Sequence, residues 1–329
     1  MKANTLAPAI FFITISLLLG KLLMLFGPSF PVISDSLKYI AIAESITNGS
    51  YTAIEGILYP PGYPTFLAFI YTTLSNAHEM VYAVQFLLLS VISYLTYIIT
   101  REFFSVSKSV ALVAGLGIIF WPYMILYSLL IMSEVVFITL FLLTLYFTLK
   151  AVKYKSRKFF FLAGIVLGIT TLVRPVTLLL PFWLIGIYSL ICIYQRKEFI
   201  LRKHIVIGIC AFLLTLAPWS LYLYTHTGNI LPVSSNLTHV LDKSYNTLSY
   251  EDAYQGVSEK PQIADVLASK AKNFVVFWNP GAGGYQAAQV VKRFPSAIYG
   301  VWLYKIGFFT ILGLAFTTLF RQKYTTTLI

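Results

Sequence analysis

The sequence predicts an all-α polytopic membrane protein with about eight transmembrane helices. The 329-residue chain is 58% hydrophobic and only 11% charged, whereas soluble domains are about 45–50% apolar and about 25% charged. A soluble fold of this composition would expose large apolar patches to water. Apolar runs long enough to cross a bilayer recur along the chain, so the organisation is best described by its membrane spans.

The first predicted span is Leu6–Phe26, which follows Lys2. A basic residue ahead of an apolar stretch is typical of a secretory signal peptide. This stretch is too long for the usual apolar core of such a peptide, and no small-x-small cleavage site follows it. We therefore expect an uncleaved first transmembrane helix.

The outer loop after this span, residues 28–79, is expected to carry amphipathic juxtamembrane helices. Residues 35–48 place apolar side chains at helical spacing, with Ser34 as a candidate N-cap and Gly49 as a candidate stop. The run Tyr59-Pro60-Pro61-Gly62-Tyr63-Pro64 then precedes about a dozen apolar residues. Because that stretch is short for a bilayer crossing, we expect a second interfacial or partly embedded helix.

Further predicted spans follow this loop. Some are short or contain proline, so the total lies between about seven and nine. The resulting organisation is a membrane core of residues 1–225, a non-cytoplasmic loop of residues 226–297, and a last helix with a cytoplasmic tail, residues 298–329. The further spans cover about residues 80–99, 109–127, 134–149, 159–173, 176–193, 205–224 and 298–319.

Charge placement predicts the orientation of these spans. With the N-terminus in the cytoplasm, the cytoplasmic segments contain only two acids, Glu102 and Glu198, while basic residues concentrate there. This is the positive-inside pattern of membrane proteins. The net charge of +12 therefore reflects the orientation of the chain in a lipid membrane, and no nucleic-acid partner is expected. Both termini are expected in the cytoplasm, in a plasma, inner or ER membrane.

Asp35 is the first candidate for chemistry, in the segment Ser34-Asp35-Ser36-Leu37-Lys38-Tyr39. A carboxylate at a helix N-terminus interacts favourably with the helix dipole and needs no further function. A carboxylate at a membrane surface can also act as a general base toward an acceptor hydroxyl. The residues alone leave both interpretations open.

Glu134 and Arg174 are charges at predicted outer helix ends. Glu134 either faces lipid headgroups or turns into the bundle, where an acid is a functional candidate. Arg174 separates two apolar runs on the side where basic residues are disfavoured. Burying it requires a partner anion. That anion is either a ligand phosphate, which a guanidinium binds in a bidentate manner, or the carboxylate of Asp35 or Glu134.

Aromatic and histidine residues give weaker indications. Tyrosine is enriched at membrane interfaces in any case, although the adjacent prolines stiffen the chain enough to form one wall of a cleft. His226 and His239 lack metal-ligand spacing, so no metal site is predicted. A divalent cation stays open as a cofactor, because no dense carboxylate cluster demands one. Beyond residue 48, the outer loop contains the tyrosines Tyr51, Tyr59, Tyr63 and Tyr71.

Taken in chain order, these features resemble the GT-C glycosyltransferases of the protein O-mannosyltransferase and aminoarabinose transferase type. The order is an outer-loop Asp at a helix start, a Tyr-Pro-Pro-Gly-Tyr-Pro element, a Ser-Glu pair and an Arg-Pro turn. Ala217-Pro218-Trp219 and Thr227-Gly228-Asn229-Ile230-Leu231-Pro232-Val233-Ser234 follow. The resemblance runs over residues 8–240 approximately.

The resemblance implies an enzyme that moves a hexose or pentose from a polyprenyl- or dolichyl-phosphate donor. The acceptor is a hydroxyl of a protein, lipid or glycan outside the cytoplasm. It further implies that Asp35 is the catalytic base and that Glu134 and Arg174 bind substrate. Because the departing phosphate is already a stabilised anion, one base suffices and inversion at the anomeric carbon is expected. The other expected substrate contacts are Lys38, Tyr39, Tyr59 and Tyr63.

The sequence departs from the family pattern at two places. Ser36 stands where many members carry a second acid, and Pro60-Pro61 stands where aminoarabinose transferases have Lys-Pro. Further phosphate ligands are then expected from Lys38, Lys243 or Arg293. Two other functions stay open. The shortness of the chain for this family favours an inactive scaffold or assembly subunit, and charged or broken helices near the bilayer midplane would indicate a lipid or solute transporter.

Overall fold

A computed structural model of the chain shows helices and no strand among the residues that it describes, as predicted. These residues all belong to one folded unit, Met1–Thr238. The predicted span 298–319, half of the predicted span 176–193, and His239, Lys243 and Arg293 lie outside the described residues. The described residues are 6–26, 32, 34–52, 59–75, 77–104, 106–182, 185–186, 202–228 and 230–234.

The helices alternate between long apolar ones and short ones. Four of those in the described ranges (α1, α4, α7 and α9) are long and apolar enough to cross a membrane, and the bent pair α5 and α6 would make a fifth. With 17 residues, α8 is about 26 Å long, near the lower limit for a crossing. The total of about eight spans stays a prediction. The bounds are α1 Leu6–Phe26, α2 Ser34–Thr47, α3 Gly62–Thr73, α4 His78–Phe103, α5 Lys108–Ile119, α6 Pro122–Ser128, α7 Glu134–Tyr154, α8 Arg157–Val173 and α9 Arg202–Thr227.

The two short helices predicted in the first loop are α2 and α3. They have 14 and 12 residues, too few to cross a bilayer. They pack against each other, and Ala43 of α2 is buried in one cluster with Leu67 and Ile70 of α3. The predicted stop after α2 is confirmed, because Gly49 has a φ of +71°, a left-handed conformation that glycine adopts without strain.

The predicted span 109–127 is wrong in one respect, because it is not a single straight helix. It divides into α5 and α6, which meet at an angle of 51°. Pro122 has no backbone N–H to continue the helical ladder, and its ring forces the preceding Trp121 into an extended conformation (φ −72°, ψ 118°). The chain therefore bends at residues 120–121.

α1 is an integral part of the bundle. Its face toward α4 contains Gly20, which lies so close to the ring of Phe86 that a Cβ there would be 2.6 Å from the ring. The hydroxyl of Ser16 donates a hydrogen bond to the carbonyl oxygen of Phe86 at 2.6 Å. α1 is long and apolar enough to cross a membrane, and its being uncleaved stays a prediction.

α8 packs between α7 and α9, and glycine allows its close approach to α9. Gly164 and Gly168 have the small-xxx-small spacing that brings membrane helices together. A Cβ on Gly164 would collide with the backbone oxygen of Gly208, and one on Gly168 would lie 2.6 Å from Cβ of Thr215. The α8–α9 contact therefore fixes the position of the C-terminal end of α8.

We expect the substitution Gly164→Leu to destabilise the fold by roughly 1–3 kcal/mol, because α9 must move away to make room. The control is Gly117→Leu on α5, where a Cβ would meet nothing within 4 Å. Thermal unfolding of the two variants in the same detergent measures the difference. Equal midpoints for both would contradict the close α8–α9 contact.

Candidate functional site

An ion pair between Arg174 and Glu134 lies at one end of the helix bundle. Nη1 of Arg174 is 2.8 Å from Oε1 of Glu134, and the two side chains are 40% and 16% exposed. Of the alternatives left open by the sequence, the structure therefore shows Arg174 paired with Glu134. An arginine among apolar helices needs such a carboxylate or another anion to offset its desolvation.

Local sequence explains why the two charges meet. Pro175 disfavours helical backbone at Arg174, so α8 ends at Val173 and Arg174 is extended (φ −144°, ψ 116°). Glu134 starts α7, where the helix dipole favours a negative charge. Since α7 and α8 are antiparallel neighbours, the start of one lies beside the end of the other. We call this end, with α2 and α3 around it, the site end.

The second carboxylate oxygen of Glu134 has a different environment. Oε2 is buried, and nothing in the described part of the chain donates a hydrogen bond to it. A buried carboxylate oxygen without a donor is costly, and such groups in folded proteins need an explanation. One oxygen of Glu134 thus holds Arg174, and the other has no hydrogen-bond donor among the described residues.

The Tyr-Pro-Pro-Gly-Tyr-Pro element packs directly on the Arg-Pro turn. A Cβ on Gly62 would lie 2.7 Å from Cγ2 of Val173 and 2.8 Å from the carbonyl carbon and oxygen of Leu172. Only glycine permits this approach of α3 to the end of α8. The two motifs are far apart in sequence, yet they form one contact beside Arg174.

Aromatic rings join α2 to this contact. Tyr39 of α2 makes an edge-to-face contact with Tyr63, with ring centroids 4.9 Å apart, and a second with Tyr59 at 5.8 Å. Nζ of Lys38 lies 5.8 Å from the centroid of the Tyr59 ring, within the range of a cation–π interaction. The predicted contact residues Lys38, Tyr39, Tyr59 and Tyr63 therefore contact one another as one group.

The hydroxyl of Tyr39 lies in an environment that opposes its ionisation. Burial raises the pKa of Tyr39 from its ordinary value of 10.0 to about 12. A hydrogen bond with the Ser133 side chain lowers this pKa, while the negative charges of Glu134 and Asp35 raise it. The pKa of Tyr39 is thus affected by both candidate carboxylates.

This pKa predicts a loss of stability at high pH. Tyr39 stays protonated in the folded state up to about pH 12 but ionises near 10.0 when unfolded. Its stabilising contribution is therefore complete below about pH 10 and is lost as the pH rises toward about 12. We expect the fall in unfolding free energy between about pH 9 and about pH 11 to be smaller in Tyr39→Phe than in wild type. The control Tyr224→Phe, at an exposed position, should fall like wild type, and an unchanged fall in Tyr39→Phe would contradict the raised pKa of Tyr39.

Asp35 lies in the first turn of α2, and its side chain is exposed. It is one helical turn before Tyr39, and Arg174 pairs with Glu134 instead of with it. The adjacent Ser36 is buried, with a hydroxyl that has no partner within the described ranges. A second carboxylate at that position would be buried without compensation, which explains physically why this chain lacks one there.

The four outer-loop tyrosines do not lie together in the structure. Tyr59 and Tyr63 lie at the site, but the ring of Tyr51 packs on Trp219 and Tyr222 of α9, at centroid distances of 6.4 and 6.5 Å. Tyr71, at the far end of α3, is coupled to Glu44, and burial together with that charge raises its pKa to about 12. Helical spacing alone does not show which helix each tyrosine packs against.

The motifs near the end of α9 form a second contact. Nε1 of Trp219 donates a hydrogen bond to the carbonyl oxygen of Val233 at 2.7 Å, and the Ser220 hydroxyl donates to that of Pro232 at 2.6 Å. Nδ1 of His226 lies 2.9 Å from the carbonyl oxygen of Tyr222, one turn earlier on the same helix. The Ala-Pro-Trp and Leu-Pro-Val-Ser segments therefore fold together.

Sequence reasoning missed Ser133 and Gln85 as members of this region. The sequence pattern marks Ser133 only as the neighbour of Glu134, although its side chain bonds Tyr39. Gln85 is a polar amide in the apolar helix α4, and it bonds the Tyr63 hydroxyl at 3.1 Å. An amide within a predicted span was the signal available in the sequence.

Together, these features define a class of protein: a multi-pass integral membrane protein whose helical bundle has a polar site at one end, covered by two short helices. Residues 59–222 match the model of the family described as dolichyl-phosphate-mannose-protein mannosyltransferase. This match confirms the resemblance to GT-C glycosyltransferases. Tyr59, Tyr63, Glu134 and Arg174 lie within the matched segment, whereas Asp35 precedes it. No curated protein and no solved structure matches the chain.

Proposed function

We propose that this protein transfers a sugar from a polyprenyl- or dolichyl-phosphate donor to an acceptor hydroxyl on the non-cytoplasmic side of a membrane. The match of residues 59–222 to a mannosyltransferase family model supports a glycosyl transfer and a lipid-phosphate donor. The observation that carries the proposal to particular residues is the ion pair that holds Arg174 in place while leaving its side chain 40% exposed.

Arg174 would bind the donor phosphate. A guanidinium has five N–H donors in a planar fork that matches phosphate oxygens, and the pair with Glu134 engages Nη1. Phe137 supports the guanidinium from one side, with Cζ 5.7 Å from the ring centroid. A preorganised cation at this point stabilises the negative charge of the departing polyprenyl phosphate. Lys38, exposed on the adjacent α2, would add a second positive charge.

Asp35 would act as the base. Its exposed carboxylate at the start of α2 is accessible to an acceptor, and its effect on the pKa of Tyr39, one helical turn later, supports a position near the proposed site. In the proposed step, the acceptor oxygen attacks the anomeric carbon and its proton passes to Asp35. The bond from that carbon to the phosphate oxygen breaks, and polyprenyl phosphate leaves on the opposite face. The sugar is therefore transferred with inversion.

Glu134 would orient both substrate and cation. Oε1 fixes the guanidinium at 2.8 Å, and the buried Oε2 would accept a hydrogen bond from a hydroxyl of the donor sugar. This arrangement uses one carboxylate for two contacts. It also accounts for the otherwise unsatisfied buried oxygen.

No step is proposed through a metal ion. Within the described ranges, no three His, Cys, Asp or Glu side chains lie close enough together to hold one. Asp35 and Glu134 are the acids of the proposed site, and hard divalent cations take six or more oxygen ligands. Turnover measured with and without a chelator tests a divalent cation directly.

The proposed non-cytoplasmic location of the site follows from the positive-inside pattern. The opposite end of the bundle, where α7 ends and α8 begins, carries Lys153, Lys155, Arg157 and Lys158. Single cysteines introduced at exposed Thr52 and at Lys155 would test this assignment. We expect a membrane-impermeant thiol reagent to label the first from outside intact cells and to spare the second.

The proposed reaction is tested by its products. Purified protein in lipid nanodiscs is incubated with a panel of polyprenyl-phosphate hexoses and pentoses and candidate protein, lipid and glycan acceptors. We expect release of free polyprenyl phosphate, and a product whose anomeric configuration, read by NMR coupling constants, is opposite to that of the donor. A retained configuration would overturn the single-displacement step. Absence of both binding and release across the panel would instead favour an inactive scaffold.

A further inference from the structure

Gln85 is a buried amide within a helix long and apolar enough to cross the membrane. Its side chain is 0% exposed within α4. A polar side chain buried among apolar residues costs free energy unless its donors and acceptor are paired. The amide of Gln85 has partners for both its nitrogen and its oxygen, and they come from other segments of the chain.

The amide nitrogen of Gln85 binds the segment that joins α6 to α7. Nε2 donates to the carbonyl oxygens of Leu130 at 2.7 Å, Ser128 at 3.2 Å and Tyr127 at 3.5 Å. The last carbonyls of a helix have no partner within that helix, so the end of α6 needs such a donor. These carbonyls lie only a few residues before Glu134, so the amide fixes the segment that delivers that acid.

The amide oxygen of Gln85 contacts a second group of residues near Glu134. It accepts a hydrogen bond from the Tyr63 hydroxyl at 3.1 Å. The ring of Tyr63 packs edge-to-face on Tyr39 of α2. Contacts therefore lead from Gln85 through Tyr63 to Tyr39, whose pKa is affected by Ser133 and Glu134 at the start of α7.

We propose that Gln85 is a positioning residue, which holds the segment before α7 so that Glu134, and through it Arg174, faces the substrate. The inference rests on the proposed function for its effect on the reaction. Its structural part, the placement of Ser133 and Glu134 against Tyr39, does not depend on any substrate. Gln85 itself is buried and touches neither reacting group.

The main test variant is Gln85→Met, which keeps the size of the side chain, suits an apolar helix and removes every hydrogen bond. The matched control is Ser93→Ala on the same helix. Ser93 is also 0% exposed, but its hydroxyl bonds Leu89 of its own helix at 3.0 Å. Donor binding is measured with a fluorescent polyprenyl-phosphate mannose, and the Tyr39 environment with the ¹³Cζ NMR signal that disappears in Tyr39→Phe.

We expect Gln85→Met to shift the Tyr39 signal and to lower kcat/KM for the donor by on the order of 10- to 100-fold, because small displacements of positioning groups are costly. In a Glu134→Gln background, Gln85→Met should weaken donor binding little further, since both changes act on one contact. Ser93→Ala should leave both readouts at wild-type values.

Two results would overturn the inference. One is an unshifted Tyr39 signal in Gln85→Met. The other is a pair of losses that multiply in the double variant, which would indicate a general effect on folding. If wild type binds no donor at all, the proposed function fails, and the Tyr39 signal still decides whether Gln85 positions the segment before α7.

Discussion

Replacing Arg174 with alanine is expected to reduce donor turnover by roughly 10²–10³-fold, the loss typical of removing a preorganised group that stabilises developing negative charge. Donor affinity should fall as well, because the guanidinium is the cation that Glu134 holds at 2.8 Å beside the proposed phosphate position. Turnover is measured as polyprenyl phosphate released per enzyme in lipid nanodiscs.

Arg174→Ala also leaves Glu134, which is only 16% exposed, without its counter-charge. That loss destabilises the protein independently of catalysis, because an uncompensated buried charge is costly. Arg174→Lys separates the two effects. It keeps the positive charge but removes the planar fork, so we expect near-normal unfolding temperature with donor binding still impaired. Wild-type turnover in a folded Arg174→Lys would limit Arg174 to a structural role in the ion pair.

The second large effect is expected at Asp35. Asp35→Asn keeps the shape of the side chain but cannot accept the acceptor proton, so turnover should fall by roughly 10²–10⁴-fold. Donor affinity should change little, because Asp35 acts on the acceptor and Arg174 on the phosphate. The change is nearly neutral for folding, since the side chain is exposed.

Glu44→Gln is the matched control for Asp35→Asn. Glu44 is an exposed acid on the same helix α2, away from the start of the helix. The substitution removes the same charge without removing the proposed base, so its turnover should equal that of wild type. Equal losses in both variants would show that the charge of α2 matters and not a base at position 35.

Much of the site region could be predicted from sequence because its signals are local. Apolar runs predicted the long helices, and the short run after Pro64 predicted that α3 would not cross the membrane. Arg174 before Pro175 predicted a helix end, since proline restricts the residue before it. A charge at such an end, between apolar runs, predicted a partner anion, and the structure supplies Glu134.

Other features depend on contacts that no local pattern contains. Pro122 in the sequence indicates a possible bend, but transmembrane helices can also contain proline. The angle of 51° between α5 and α6 depends on the packing around Pro122. Tyr51 and Tyr59 occur in the same loop, yet Tyr51 packs on α9 and Tyr59 packs on α2. Gly62 has the composition of a turn glycine, and its actual role is a close approach to the end of α8. Gln85 donates hydrogen bonds to backbone carbonyl oxygens. Because every residue has such an oxygen, the sequence does not show which ones Gln85 binds.

The ion pair also explains why residue types alone do not distinguish a scaffold function from an enzymatic function. A carboxylate at 2.8 Å satisfies the arginine in either case. The two functions differ in what the rest of the guanidinium does. In a scaffold it faces lipid headgroups or solvent, and in a transferase it binds the phosphate of the donor.

The most direct test of a phosphate-binding role is therefore the distance between the donor phosphorus and the Arg174 guanidinium. Protein labelled with ¹⁵N in its arginine side chains is reconstituted in lipid with a non-hydrolysable polyprenyl-phosphonate mannose. ³¹P–¹⁵N dipolar coupling is then measured by solid-state NMR, with Arg174→Lys to assign the signal. We predict a coupling from Arg174 that corresponds to direct hydrogen-bond contact with the phosphonate. Donor binding with no coupling to Arg174 would contradict this role and would place the phosphate elsewhere on the protein.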